Sequence, residues 1–187
     1  MKSPGLDSTE TNFLVRSLDA KITPQQYQRL PKTPLYFILD NLRSAFNVGS
    51  IFRLSDILRV KGLFLCGTTA TPPHLKLTKT SMGAVDYVPW KRFEHTGEAI
   101  RFLKDRSIPV WAAETMSGAI SLPDARFPRE VGLVLGNEAL GVGKEALSLC
   151  DAAIEIPVYG FKNSMNVAAA CAVLGYAFIE RNGAPDR

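Results

Sequence analysis

A mostly parallel α/β sheet flanked by helices is the fold class this sequence predicts, and three observations predict it. Short apolar runs recur at residues 35–39, 62–66, 109–113, 132–135 and 153–156. Each run is continuous rather than alternating, as expected of strands buried on both faces. Between the runs lie segments with helical spacing of apolar residues, the βαβα order that builds a parallel sheet. With 187 residues, the chain is sized for one domain whose core needs no staples.

Taken in order, residues 1–34 are polar and broken by Pro4, Pro24, Pro31 and Pro34. They read as an N-terminal extension before a domain of residues 35–187. One short helix is expected in the extension, over 24–30, with Thr23 as N-cap and Pro24 at its first position. The strand at 35–39 leads to a helix over 47–59 that carries Val48, Ile51, Phe52, Ser55, Ile57 and Leu58 at helical spacing. After the strand at 62–66, Pro72-Pro73 marks a loop, and a third strand is expected over 85–90. A helix at 96–104 precedes the strand at 109–113. The strand at 132–135 is followed by a short helix over 144–150, and the last strand, 153–156, by a final helix over 166–181.

Composition excludes some functions. The formal net charge of +4 and pI of about 9.0 suit a polyanionic partner without proving one. Cys66, Cys150 and Cys171 are odd in number, far apart and lack a C-x-x-C pair, so a disulfide framework or zinc site is not expected. They read as buried thiols of a reducing compartment, and no metal is predicted. The N-terminus, with Asp7, Ser8, Thr9 and Glu10, resembles no signal peptide, and no run reaches membrane-spanning length. A cytoplasmic protein is the expectation. His74 and His95 read as surface residues, and Trp90 and Trp111 as core.

In parallel sheets ligands bind beyond the carboxyl ends of strands, and three post-strand loops have unusual chemistry. After Leu39 come Asp40 and Asn41, then Asn47, Gly49 and Arg53. Asparagines there tie loop backbone, glycine permits close approach, and a guanidinium can fork onto phosphate. Taken singly, Asn47 is equally an N-cap and Arg53 a solvated cation. After Leu135 comes a glycine-rich loop with Gly136, Asn137, Glu138 and Gly141. Its Gly141-Val142-Gly143-Lys144-Glu145-Ala146 matches G-x-G-x-x-A, but the acid required about 20 residues on is replaced by Tyr159, Gly160, Phe161 and Lys162, so the dinucleotide reading is rejected. Glu138 alone has a plain reading too, compensation of a helix N-terminal dipole. After Ile156 come Pro157, Val158 and Gly160, then Ser164, Met165 and Asn166 before an alanine-rich helix. One N-cap accounts for one of these polar residues and not for the cluster.

Together the three loops resemble motifs one, two and three of the SpoU (TrmH-like) RNA 2′-O-ribose methyltransferases. The carriers are Asn47 through Arg53; Leu135 through Glu138 with Gly141; and Ile156-Pro157-Val158, Gly160 and Ser164 through Val167, over residues 35–181. Val158, Met165 and Ala168 depart mildly from the family pattern.

The resemblance implies a deep C-terminal trefoil knot, an exception to ordinary chain topology. It also implies a homodimer paired through that knot and S-adenosylmethionine as cofactor. Cofactor contacts would come from Leu135, Gly136, Asn137, Gly141, Ile156, Val158, Ser164, Met165 and Asn166, with Glu114 as an outlying candidate. Arg53, Asn47, Glu138, Ser164 and Asn166 are the catalytic set it implies. The family's proton acceptor is the motif-one arginine. Because arginine stays protonated, a second version has Arg53 stabilise developing charge while Glu138 or water takes the proton.

Substrate RNA would meet Lys32, Arg43, Arg59, Lys61, Lys76, Lys79, Lys91 and Arg92, with tRNA favoured over rRNA. Three alternatives stand beside this reading: a catalytically silent RNA-binding module of the same fold, a nicotinamide oxidoreductase, and a base methyltransferase.

Overall fold

The structure, a computed structural model, describes residues 21–185; the polar stretch read at 1–20 lies outside them. Seven parallel strands form one sheet in the order β3-β2-β1-β6-β4-β7-β5. They are β1 (Thr33–Asp40), β2 (Val60–Cys66), β3 (Trp90–Phe93), β4 (Val110–Ala113), β5 (Ile120–Ser121), β6 (Val131–Leu135) and β7 (Ala152–Glu155). The helices are α1 (Pro24–Arg29), α2 (Ala45–Ile57), α3 (Leu75–Ser81), α4 (Thr96–Lys104), α5 (Lys144–Leu149) and α6 (Val167–Asn182).

Each apolar run divides its side chains between two cores, as period-two alternation requires. Leu35, Phe37 and Leu39 of β1 join Leu133 and Leu135 of β6 on one face, under Val48, Ile51 and Phe52 of α2 and Cys171, Leu174 and Phe178 of α6. Ile38, Phe64 and Val134 point the other way, onto Ala99, Ile100 and Leu103 of α4 and Ala146 of α5. Gly175 lets α6 close on the sheet, where an added Cβ would overlap Leu58 and touch Phe37.

Register places the chemistry. Leu39 pairs with Leu135, Leu135 with Ala113, and Ala113 with Ile154. The strands therefore end level, and the loops after β1, β6 and β7 emerge side by side. The chain winds outward from β1 through β2 and β3, then crosses to β4 beyond β6. This reversal of strand order opens a crevice at the strand ends.

Several expectations are corrected. The strand expected over 85–90 is a 3-10 turn, Ala84–Asp86, and pairing begins only at Trp90. Ala84 and Val88 are buried in the core that includes α2, and that burial produced the misleading apolar signal. The loop marked by Pro72-Pro73 contains a helix, α3. The helix read from Asn47 starts at Ala45, with Ser44 as N-cap accepting the Asn47 N–H. Trp90 is 37% exposed on the edge strand, whereas Trp111 is buried. Cys150 is half-buried, while Cys66 and Cys171 are buried.

The short helix near the N-terminus forms as expected, with a capping box between Thr23 and Gln26. It is docked rather than dangling. Tyr27 is buried and donates to the Asp56 carbonyl, and Gln28 donates to the Tyr87 carbonyl.

Candidate active site

Glu138 joins two of the three loops. Its Oε2 accepts the Arg43 backbone N–H at 2.8 Å; its Oε1 accepts the Ser44 N–H at 3.1 Å and the Asn47 Nδ2 at 2.8 Å. Burial alone would raise this carboxyl, but the hydrogen bonds from Arg43, Asn47 and Ser44 outweigh it and hold Glu138 below the ordinary carboxylate value. The plain reading of Glu138 as a helix N-terminal charge is thus partly right, although the helix it serves is α2 and not the α5 that follows it in sequence.

The third loop is tied on through Asn47, whose Oδ1 accepts from Asn166 Nδ2 at 3.2 Å. Asn166 Oδ1 in turn caps α6, accepting the Ala168 and Ala169 N–H groups at 2.9 and 3.3 Å. Polarity fixes the order of this chain. A carboxylate only accepts, so Asn47 must show it an NH2 group. The Asn47 oxygen then faces Asn166, which must also present NH2, leaving its own oxygen for the helix cap. Sequence-distant residues 138, 47 and 166 thereby become one oriented unit.

Other expected residues are placed as follows. Ser164 is exposed, two residues before the Asn166 cap. Arg53 is exposed on α2, six residues and about 9 Å of helix beyond Asn47. Asn137 closes its loop through paired backbone bonds with Gly141, donates to the Asn41 carbonyl at 2.6 Å and accepts from Ala139 and Leu140. Gly136 is required by packing, since a Cβ there would overlap the Gly141 and Val142 backbone. Gly141 adopts φ +69°, which suits glycine, and faces the Glu114 carboxylate. Glu114 braces the loop by accepting the Val142 N–H at 2.8 Å. Gly49 approaches Thr80 and Leu77 of α3, so its missing side chain serves helix packing. Ile156 is half-buried at the exit of β7, while Val158 and Met165 are 41% and 42% exposed.

Sequence reasoning gave no role to Asp40 or Thr69. Asp40 is buried, accepts the Thr96 hydroxyl at 2.5 Å and the Gly143 N–H at 2.8 Å, and so anchors the far end of the Glu138 loop. Buried Thr69 accepts the Leu42 N–H and donates to the Leu39 carbonyl. The available signal for Asp40 was an acid closing a fully apolar strand. A cavity of about 150 Å³ lies beside it, lined by Asn41, His95, Thr96, Gly97 and Glu145 among others. Among the described residues no group of three or more His, Cys, Asp or Glu is placed to hold a metal ion.

Some of the basic candidates are engaged. Lys61 pairs with Glu130 at 2.8 Å, and Lys32 lies 3.5 Å from the Tyr27 ring centroid. Lys91 lies 4.3 Å from that of Phe102, and Arg59 donates to the Pro185 carbonyl. Arg43, Lys76, Lys79 and Arg92 are exposed.

A doubly covered parallel sheet with polar loops converging at its strand ends is an α/β domain of the kind that binds ligands at that edge. Residues 34–176 match the SpoU rRNA Methylase family, and the chain belongs to that family of RNA methyltransferases. It is 30% identical over 150 residues to the tRNA (guanosine(18)-2'-O)-methyltransferase of Thermus thermophilus, covering 80% of this chain and 76% of that one. The fold superposes with a TM-score of 0.74 on the SpoU methyltransferase AviRb from Streptomyces viridochromogenes in complex with AdoMet, at 26% identity, over 82% of this chain and 62% of that one. The AdoMet-bound rRNA methyltransferase from Sinorhizobium meliloti gives 0.72 at 26% identity, over 82% and 59%. The chain thus spans about three fifths of those two structures. No helix among the described residues is long and apolar enough to cross a membrane.

Proposed function

We propose that this chain methylates a ribose 2′-hydroxyl of RNA with S-adenosylmethionine as donor, tRNA being the favoured substrate. The observation that carries this reading is the hydrogen-bonded run from Glu138 through Asn47 to Asn166, which unites the three family motifs in one place. The choice of tRNA over rRNA rests on the Thermus relative, named for tRNA, while the exposed Arg43, Lys76, Lys79 and Arg92 offer phosphate contacts to either RNA.

The donor supplies an electrophilic methyl group on a sulfonium. Exposed Val158 and Met165 offer apolar surface to a flat base, while Gly136 and Gly141 let the loop after β6 fold tightly on its own backbone and on Glu114. Asn137, Ile156 and Ser164 complete that edge, Leu135 can add only its backbone because its side chain is buried in the core, and Glu114 braces the loop through the Val142 N–H. The chain's task is to hold the ribose oxygen behind the methyl carbon, where good alignment is worth roughly 7–11 kcal/mol. Transfer would form the O–C bond as the donor departs as a neutral thioether, and the hydroxyl proton would pass to water, Glu138 being already engaged.

Glu138 is a poor acceptor, since three donors already hold its charge. It sets the geometry of the α2 N-terminus instead. Arg53 is the group assigned to the developing oxyanion. Arg53→Ala is expected to cut transfer about 100- to 1000-fold while calorimetric affinity for S-adenosylhomocysteine stays within about twofold. Loss of cofactor affinity instead would contradict this role.

A homodimer belongs to the same proposal. Phe46 and Ile57 of α2 and Val173 and Tyr176 of α6 are exposed apolar residues on two helices packed against each other. Arg53 lies on the stripe of α2 defined by Phe46, Ser50 and Ile57, so pairing there would bring it to the joint. The C-terminal knot is proposed with it, supported by the shared fold and by the return of α6 to α2 and β1.

A further inference from the structure

Two aromatic side chains are left without a role by the site described above. Tyr159 is 92% exposed and Phe161 99% exposed, in the loop between β7 and α6. Whole aromatic rings held in water are costly, because each forgoes a large apolar burial. Residues 158–166 are all exposed, so this is a projecting segment and not a frayed edge of the core. Its far end is Ser164 and Asn166, the part of the loop bonded through Asn47 to Glu138.

We propose that Tyr159 and Phe161 form a stacking platform for unpaired RNA bases flanking the target ribose. The inference rests on the RNA-methylation reading and names how that same site grips its substrate. The neighbours of the rings decide the occupant. Gly160, Lys162 and Asn163 surround them in sequence, and the Lys162 Nζ lies 6.0 Å from the Phe161 ring centroid. Exposed Val158 and Met165 lie in the same loop, but Gly160 stands between the two rings and Lys162 and Asn163 follow them, so the segment mixes aromatic faces with charge and amide rather than presenting apolar side chains alone. Here a cation accompanies the Phe161 ring, and exposed Arg43 and Arg53 lie on the first loop and its helix. Aromatic faces interleaved with positive charge suit a single-stranded polyanion whose bases can stack while its phosphates are neutralised. Stacking tolerates any base, so the platform supplies grip and alignment more than sequence choice.

The test uses the full chain, a pool of unmodified tRNA transcripts carrying a fluorescent label, and fluorescence anisotropy across a salt series. Tyr159→Ala and Phe161→Ala should each weaken RNA binding about tenfold at every salt concentration, leaving the slope against log salt unchanged because a neutral ring releases no counterions. Lys162→Ala should reduce that slope by about one phosphate contact. Phe161→Trp should restore affinity, and its indole emission should change on RNA addition. Unchanged RNA affinity in both alanine variants overturns the platform. So does a loss of S-adenosylhomocysteine affinity with RNA affinity intact, which assigns the rings to the cofactor, or a shift to a smaller species in sedimentation, which assigns them to a second copy. Methyl transfer by the wild-type chain to the same pool is read separately. Transfer with ring-independent binding sinks the platform alone, whereas ring-dependent binding without transfer sinks the enzymatic reading and leaves the platform standing.

Discussion

The loops on either side of β4 differ in how they are held. The loop after β6, residues 136–143, is fastened along its length. Asp40 holds Gly143, Glu114 holds Val142, Asn41 receives Asn137, and Glu138 reaches across to the start of α2. The loop after β7 is anchored at its end by the Asn166 cap, and residues 158–166 are exposed. One loop is a fixed wall built from buried or bonded polar groups. The other presents Tyr159, Phe161 and Met165 outward. The contrast teaches that polar bonding is concentrated on the β6 side of the candidate site, while the large exposed side chains stand on the β7 side, where fewer bonds hold the backbone.

Breaking the wall should have the largest effect. Glu138→Gln replaces one acceptor oxygen with an NH2 group facing backbone or amide donors, and is expected to lower methyl transfer about 100-fold in single-turnover assays. The pH dependence has a definite sign. The folded-state value of Glu138 lies below its unfolded value, so its bonds stabilise the protein above the ordinary carboxylate range. That contribution is lost as pH falls through the folded value. Acid titrations of thermal stability should therefore be shallower for Glu138→Gln than for wild type in that window.

Gly136→Ala forces a Cβ onto the Gly141 and Val142 backbone. It should cost about 1–3 kcal/mol in denaturant unfolding. Asn166→Ala should cost about 1 kcal/mol through loss of the α6 cap. Asn166→Asp sharpens the comparison, because it keeps an acceptor for the cap but loses the amide that donates to Asn47. Thermal stability should hold while transfer falls at least tenfold. The smallest effect is expected at the open loop, where Phe161→Ala should shift Tm by less than about 1 °C, in keeping with exposed positions generally.

The buried frame was legible in the sequence because a continuous apolar run of strand length, closed by turn residues at both ends, is stable only inside a covered sheet. Residue order was less clear where a segment is exposed. Strand β3 reads Trp90-Lys91-Arg92-Phe93, three of its four residues are exposed, and its pairing with β2 alone makes it a strand. Helix α3 buries Leu77 and Ser81 from a lysine- and threonine-rich stretch after Pro72-Pro73, too little for periodicity to register. The three polar loops were visible as loops, but their bonding was not. Nothing in residue order says that Glu138 serves the N-terminus of α2, or that Ser44 takes the cap and frees Asn47 to join Glu138 to Asn166. Those assignments depend on parallel strands ending level, a property of register that no single segment carries.

The central claim, that these loops make one site for ribose methylation, is tested most directly by nucleoside mass spectrometry. Unmodified tRNA would be incubated with the chain and isotopically labelled S-adenosylmethionine, then digested. The account predicts label on a ribose 2′-oxygen from the wild type and its loss in Asn47→Ala. Label on a base, or equal ribose labelling by both proteins, would contradict it.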